Sequence, residues 1–355
     1  MQKKGRGQGA AALCALTKLV NIMAAGKLPK EVAPFLCGAN LFAAIKKTGG
    51  MRPVAVGGVL RRLTAKCIMY KVSGKAAELL RPLQFGVGFQ GGCEAVVHAT
   101  RAILSSESLP QDSLWSLQVD LDNSFNRGDR AQMFAEVRRL LPGISPWVES
   151  CYGVSSILNF GDSTILSTAG VQQGDPLGPL LFSIMAQPVV ERLQEVEGLV
   201  QNAWYLDDGI LVGTREALVE AWDLLVAEGE PRGLHLSRGK SLVFCPHHDP
   251  EDQDPLGRGV VRGEGGGFKL LGAPLGDEGY EGEILEKRVI AIQELLDRLP
   301  LLEDPHMEYT LLRNCFAFPK FSFALRTTDT SKHQDLVIRF DSAVRAALEG
   351  ILGSP

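Results

Sequence analysis

No stretch of this 355-residue chain approaches the roughly 18 to 20 uncharged apolar residues that a membrane span requires. The N-terminus also lacks the long apolar core and small-residue cleavage site of a secretory signal. These absences make an intracellular protein, cytoplasmic or nuclear, the expectation, with no membrane partner. Paired cysteines are missing as well. Cys14, Cys37, Cys67, Cys93, Cys151, Cys245 and Cys315 are odd in number and scattered, with no Cys-x-x-Cys pair, which argues against a disulfide framework and a structural zinc site. Cys245-Pro246-His247-His248 has no distant partner pair of the right spacing and reads as a loop. The six histidines show no metal spacing and no nucleophile partnership, and the chain has no internal repeat.

Acids are almost absent from the first 75 residues, which hold fourteen Lys and Arg against the single acid Glu31, a charge of +13. The remainder carries 23 bases against 40 acids, or −17, so the overall charge of −4 hides a strong asymmetry. A one-sided basic segment suits phosphate contacts, although a solvated basic face explains the charge equally well on its own. With 45% hydrophobic and 22% charged residues, the chain has the composition of two or three packed subdomains.

Residues 1 to 30 read as a basic lead into a helix. Phe35 to Ala65 reads as an extended stretch in which Gly49-Gly50 and the Arg52-Pro53 step mark a turn between two short strands. Helical spacing runs from Arg61 to Leu80, and the glycine loop Gly86 to Gly92 precedes a helix from Glu94 to about Leu104. Leu114 to Leu121 is an apolar run with Asp120 near its end, and helices follow from about Arg130 to Leu141 and around Pro146 to Tyr152. Gly161-Asp162 joins Ile157–Phe160 to Ser163–Ser167 as a hairpin. The loop Gly170 to Gly178 opens a long apolar helix through Leu193, and Ala203 to Val212 reads as strand, tight turn, strand. A helix from Arg215 to about Glu228 and a strand at Ser241 to Phe244 come next. Residues 246–267, rich in Pro, Gly and acids, read as a mobile insertion. Phe268 to Leu271 is a short strand, and 283–355 is mostly helical with a break near Pro319.

The chemistry-bearing pair is Val119-Asp120-Leu121-Asp122 and Tyr205-Leu206-Asp207-Asp208, each placing carboxylates at the end of an apolar strand-like run. Such placement is costly unless a cation compensates. Phosphoryl transfer supplies that need, because two Mg²⁺ ions about 3.5 to 4 Å apart share carboxylates between them. An isolated Asp-Asp at a turn is otherwise ordinary turn chemistry. Gly86-Val87-Gly88-Phe89-Gln90-Gly91, with Asp112 about 20 residues on, also satisfies a dinucleotide-binding pattern, but Arg81-Pro82 in the preceding segment is incompatible with the buried strand that pattern needs.

In the order and spacing of its blocks, from about Leu28 to Leu352, the chain resembles the reverse transcriptase family, particularly the non-LTR retrotransposon type. Lys46-Lys47-Thr48-Gly49-Gly50-Met51-Arg52-Pro53 resembles the fingers hairpin that holds the incoming triphosphate, with Arg52 and either Lys46 or Lys47 in the holding positions. Leu117 to Asn126 resembles motif A, which implies Asp120 as a metal ligand, a backbone carbonyl from Leu121, and Phe125 as the steric gate against a ribose 2′-OH. Gln172 to Gly178 is similar to motif B, a flexible loop under template base and nucleotide, with Gln173 and Gly174 carrying the match. Tyr205-Leu206-Asp207-Asp208 resembles motif C, with Asp207 the principal and Asp208 the secondary metal ligand; leucine in the variable place is a size change, not a lost ligand. Gly233 to Lys240 resembles motif D and puts Lys240 near the β-phosphate as a general acid. Gly86 to Gly91 resembles a glycine motif lying close to template phosphates, and Leu270 to Gly276 resembles the primer grip.

The resemblance implies an α+β right-hand polymerase: a basic lead at 1–27, fingers at 28–110, a palm at 111–280 with a helix-backed antiparallel sheet, and a helical thumb-like region at 281–355. It implies template-directed DNA synthesis on an RNA or DNA template with a primer, using dNTPs and two Mg²⁺ ions or Mn²⁺ as a substitute. Two alternatives stand beside it: an inactive or repurposed fragment that binds nucleic acid without catalysis, and an RNA-dependent RNA polymerase, which the aromatic at 125 and Tyr205 disfavour. Nothing in the chain resembles an endonuclease, an RNase H or a zinc knuckle. Template preference, oligomeric state, protein partners and biological role are not legible in the sequence.

Overall fold

A computed structural model describes residues 2–29, 31–45, 49–109, 113–245, 247–249, 251–263 and 265–353. The first half of the chain runs α1 (Gln2–Ala24), α2 (Ala33–Leu36), β1 (Ala39–Ile45), β2 (Met51–Gly57), α3 (Val59–Leu80), α4 (Gly92–Leu104), β3 (Trp115–Val119), α5 (Ser124–Arg127), α6 (Arg130–Leu140), α7 (Ser145–Tyr152), β4 (Ser156–Phe160) and β5 (Ser163–Ser167). It continues with α8 (Gly178–Arg192), β6 (Leu199–Tyr205), β7 (Asp208–Gly213), α9 (Arg215–Gly229), β8 (Leu242–Phe244), β9 (Val261–Arg262), β10 (Gly267–Leu270), β11 (Ala273–Gly276), α10 (Glu278–Leu296), α11 (Pro305–Leu311), α12 (Phe318–Thr327) and α13 (Gln334–Leu352). This mixture of helices and sheets is the expected α+β class. No described helix is long and apolar enough to cross a membrane.

The elements form two compact units, one of residues up to Gly92 with Val119–Ser241, the other of Cys93–Gln118 with residues from Leu242 onward. In the first unit, four strands order as β2-β1-β4-β5, with β1 and β2 antiparallel from Ala39↔Gly57 to Ile45↔Met51. The Arg52-Pro53 step was expected to mark the turn; it lies instead inside β2, where Pro53 faces Ala43. An edge strand tolerates proline because the missing N–H has no ladder partner to lose. The chain also turns helical at Val59, short of the extended stretch expected to reach Ala65.

The core of this unit is α8, whose apolar run Leu180–Ile184 is buried on every side, as a helix without a polar face must be. It packs against α3, α6 and α9. The hairpin β6–β7 pairs from Leu199↔Gly213 to Tyr205↔Asp208, so Leu206 and Asp207 form a two-residue turn. The chain before α4 runs beside this hairpin, with the Phe85 N–H donating to the Trp204 carbonyl and the Trp204 N–H to the Leu83 carbonyl, both at 2.7 Å.

In the second unit, β3 pairs antiparallel with β8, which pairs parallel with β9, and β10–β11 form a separate hairpin. Its helices close over Leu285, Val289, Ile292, Phe321 and Phe340, the two phenylalanines stacking at 4.6 Å. Within the segment read as a mobile insertion, Arg262 donates to the carbonyls of Cys245, His248, Asp249 and Asp252. Leu256 and Val260 of the same segment are buried.

Candidate active site

Asp120 is the first residue beyond the end of β3, and residues 235–241 hold it there. Its N–H donates to the Ser241 hydroxyl at 3.1 Å, its carbonyl accepts from the Ser237 N–H at 2.9 Å, and the Asp122 N–H donates to the His235 carbonyl at 2.7 Å. Leu121 and Leu236 face each other between those bonds as a non-hydrogen-bonded pair, which leaves the Leu121 carbonyl outside the ladder. The chain then enters a left-handed residue, Asn123 (φ 50°), and the single turn of α5. Phe125 stacks on Phe182 at 4.6 Å, and its carbonyl accepts from the Val171 N–H at 2.6 Å.

At the hairpin tip, Leu206 adopts φ 59°, a left-handed conformation rare for a branched side chain. Asp207 accepts a long hydrogen bond from the Ser124 hydroxyl at 3.4 Å. Burial pushes the Asp207 carboxyl above the usual range, helped by the charge of Asp120 and opposed by its own backbone, Ser124 and Arg52. Asp208 is exposed to solvent at its surface although densely packed chain lies around it; that crowding first, then repulsion from Asp207 and Asp120, pushes it up to about 6, with Arg52 opposing.

A pocket of about 410 Å³ brings most of the expected residues together. Asp120, Leu121, Phe125, Asp207 and Asp208 line it, and so do Arg52 from β2, Gln173 and Lys240. Lys46 and Lys47 lie outside the described residues. Lys240 Nζ stands 3.7 Å from Asp120 Oδ1 and 3.6 Å from Asp122 Oδ1, more than half exposed. Gly174 sits beside the pocket at φ 126°, where a side chain would collide with the Ala55 carbonyl; the Ala55 N–H in turn donates to the Gln173 carbonyl at 2.7 Å. That pair of contacts ties the glycine loop to β2, the strand carrying Arg52.

With Asp122, which also lines the pocket, four carboxylates share a small space with two cations among the described residues, Arg52 and Lys240. Among the described residues no three His, Cys, Asp or Glu side chains converge as a complete cation cage. The donor set still suits magnesium: it is all hard oxygen, two of its members are held toward protonation by burial and by the neighbouring carboxylates, and Mg²⁺ ordinarily takes only one or two protein carboxylates and completes its shell from water and phosphate.

Sequence reasoning missed three supporting groups. Asp122 pairs with Arg127 at 2.9 Å and with Lys240, so the second acid of its block works in an ion-pair network in the wall of the pocket. Arg61 is 2% exposed and bonds Asp175 at 2.9 Å, while Tyr152 donates to the same carboxylate at 2.7 Å; Arg61 also donates to Gln172 and to the Cys37 carbonyl. A single arginine inside a helix gives no sequence signal of burial, because arginine is ordinarily a surface residue. Gln84, also buried, holds the hairpin tip. Gly86, Gly88 and Gly92 allow close packing within the chain: a Cβ at Gly86 would meet Leu206, one at Gly88 would meet Ala77, and one at Gly92 would meet the Phe85 carbonyl.

Residues 45–275 match the family model described as "Reverse transcriptase (RNA-dependent DNA polymerase)". The chain is 26% identical over 339 residues to the retrotransposable element SLACS 132 kDa protein of Trypanosoma brucei gambiense, an alignment covering 92% of this chain and 27% of that protein. It thus spans about a quarter of the length of that relative. Among solved structures it is similar in fold to telomerase from Candida albicans in complex with a TWJ fragment of telomeric RNA (TM-score 0.52, 11% identity, 91% of this chain and 60% of that one). Apo telomerase from Candida tropicalis is similar to the same degree (TM-score 0.52, 10% identity, 90% and 59%).

Proposed function

Because this chain belongs to the reverse transcriptase family, and resembles its retrotransposon branch, we propose that it extends a primer with deoxynucleotides on an RNA or DNA template by two-metal nucleotidyl transfer. One observation carries the reading: Asp120, distant in sequence from Asp207 and Asp208, lines the same pocket, and its charge contributes to holding both toward protonation. Unrelated surface acids would have no reason to be packed so closely without compensation.

On this reading Asp120, Asp207 and Asp208, with the Leu121 carbonyl, hold two Mg²⁺ ions, for which Mn²⁺ substitutes. The chemistry such ions supply is activation of the primer hydroxyl and neutralisation of charge on the leaving pyrophosphate. Arg52, with Lys46 or Lys47, clamps the triphosphate as a charge-assisted hydrogen-bond donor. Phe125, braced against Phe182, fills the space a 2′-hydroxyl would need. Gln173 and Gly174 form the bed for the template base and nucleotide. Lys240 leaves its partners Asp120 and Asp122 to give a proton to the departing pyrophosphate. The fingers fall at 28–110, the palm at 111–280 and the thumb-like region from 281. Rate enhancement on this scheme comes mainly from positioning and charge stabilisation. The binding of nucleic acid fits the telomeric RNA bound by the structurally similar Candida albicans telomerase.

Primer extension tests this directly. The folded protein, given an annealed primer on RNA or DNA template, is expected to incorporate dNTPs in Mg²⁺ or Mn²⁺. No incorporation with either ion overturns the proposal, extension with rNTPs alone marks an RNA polymerase, and salt-sensitive binding without turnover marks a nucleic-acid-binding protein.

A further inference from the structure

We propose that Gln84 is a positioning residue that fixes the hairpin tip carrying Asp207 and Asp208, working through the peptide groups of Leu206; the inference rests on the polymerase reading of that tip. Gln84 is 3% exposed, and its side-chain amide satisfies both backbone polar groups of Leu206. Oε1 accepts from the Leu206 N–H at 2.6 Å and from the Gly86 N–H at 3.0 Å, while Nε2 donates to the Leu206 carbonyl at 3.1 Å.

The need for such a clamp follows from the turn. Tyr205↔Asp208 is the last ladder pair, so Leu206 projects beyond the strands, and it does so in a left-handed conformation that relaxes unless its surroundings hold it. Leu206 is bonded directly to Asp207, so any rotation of its peptide swings that carboxylate. The segment holding Gln84 is itself anchored on the hairpin stem by the two 2.7 Å bonds between Leu83, Phe85 and Trp204. Gly86 completes the fit, because a Cβ there would lie 2.7 Å from Leu206 Cγ and 2.8 Å from its nitrogen. The size of residue 206 and the absence of a side chain at 86 are therefore one feature: the leucine occupies the space the glycine leaves.

The test compares Gln84→Met, which keeps length and burial but loses all three hydrogen bonds, with Gly86→Ala, Leu206→Ala and the double variant of the last two. Three quantities are read: single-turnover extension at saturating primer–template and dNTP, Mn²⁺ affinity of the protein alone by electron paramagnetic resonance, and primer–template Kd. Gln84→Met is expected to lower the extension rate about 10²-fold and to weaken Mn²⁺ binding while leaving primer–template Kd unchanged. Gly86→Ala is expected to do the same, and Leu206→Ala added to it to restore part of the rate, because the contact with the leucine side chain is relieved while the 2.8 Å approach to the nitrogen of residue 206 remains; a general loss of stability produces no such rescue. Wild-type rate and Mn²⁺ affinity in Gln84→Met overturn the clamp. So does a Gly86→Ala variant with wild-type rate and Mn²⁺ affinity, which decides the matter should Gln84→Met not fold. If the wild-type protein itself does not extend primers, the polymerase reading fails, and unchanged Mn²⁺ affinity in the variants then overturns the clamp separately.

Discussion

Asp208 illustrates how a residue can be kept against its own electrostatic interest. Its carboxyl rises to about 6 in the fold, through burial and the repulsion of Asp207 and Asp120. As pH climbs, the unfolded chain ionises first, from about pH 4, so the group removes stability between that pH and about 6 and the loss persists above. Asp208→Asn is therefore expected to raise the thermal midpoint at neutral pH in metal-free buffer while lowering extension, and a midpoint that falls instead sinks the assignment. Cation binding must expel the same protons, so Mn²⁺ affinity should rise as pH increases toward and through about 6. Asp207→Ala is expected to abolish extension on either template. Phe125→Ala should admit ribonucleotides, reducing the preference for dNTPs by roughly 10-fold or more, as competition between dNTP and rNTP in single-nucleotide incorporation will read.

Among the elements, what the sequence discloses and what it hides divide along a physical line. The alternation and turn residues of β4–β5 and β6–β7, and the apolar length of α8, are local signals, and the structure follows them closely. The expected turn at Arg52-Pro53 failed because proline's place in a sheet depends on whether its strand is an edge, which is a fact about neighbours. The residues that line the pocket were legible as blocks, since each block is contiguous. The supports were not: Gln84 and Arg61 reach partners more than 100 residues away and are buried polar groups, which periodicity reads only as interruptions. Arg61 and Asp175 make a heavy demand on stability, because each is almost wholly buried and each would lose its counter-charge with the other. Arg61→Met or Asp175→Asn should cost about 3 to 5 kcal/mol in denaturant unfolding, while the pair replaced together by apolar residues should cost distinctly less. Additive losses in that cycle would show that the two side chains are not coupled.

For the whole molecule, the asymmetry of charge is the property that bears on nucleic acid. Net charge alone describes a weakly acidic protein, yet the first 75 residues carry +13. Part of this charge lies on α3, where Arg62, Lys66, Lys71 and Lys75 are exposed while Thr64, Ala65, Ile68 and Ala76 are buried. Exposed charges of this kind contribute little to the fold, since solvated charges on a helix neither pack nor pair strongly. If it contacts phosphates, each neutralised phosphate releases counterions, and the logarithm of affinity falls with the logarithm of salt concentration by about 0.9 for each duplex phosphate contact. Lys66→Gln, Lys71→Gln and Lys75→Gln combined should then flatten that slope by up to roughly 2.7 in duplex primer–template binding, with the thermal midpoint scarcely moved because the substituted side chains are exposed. An unchanged slope places these lysines away from nucleic acid and leaves the basic charge of α3 as a solvated face.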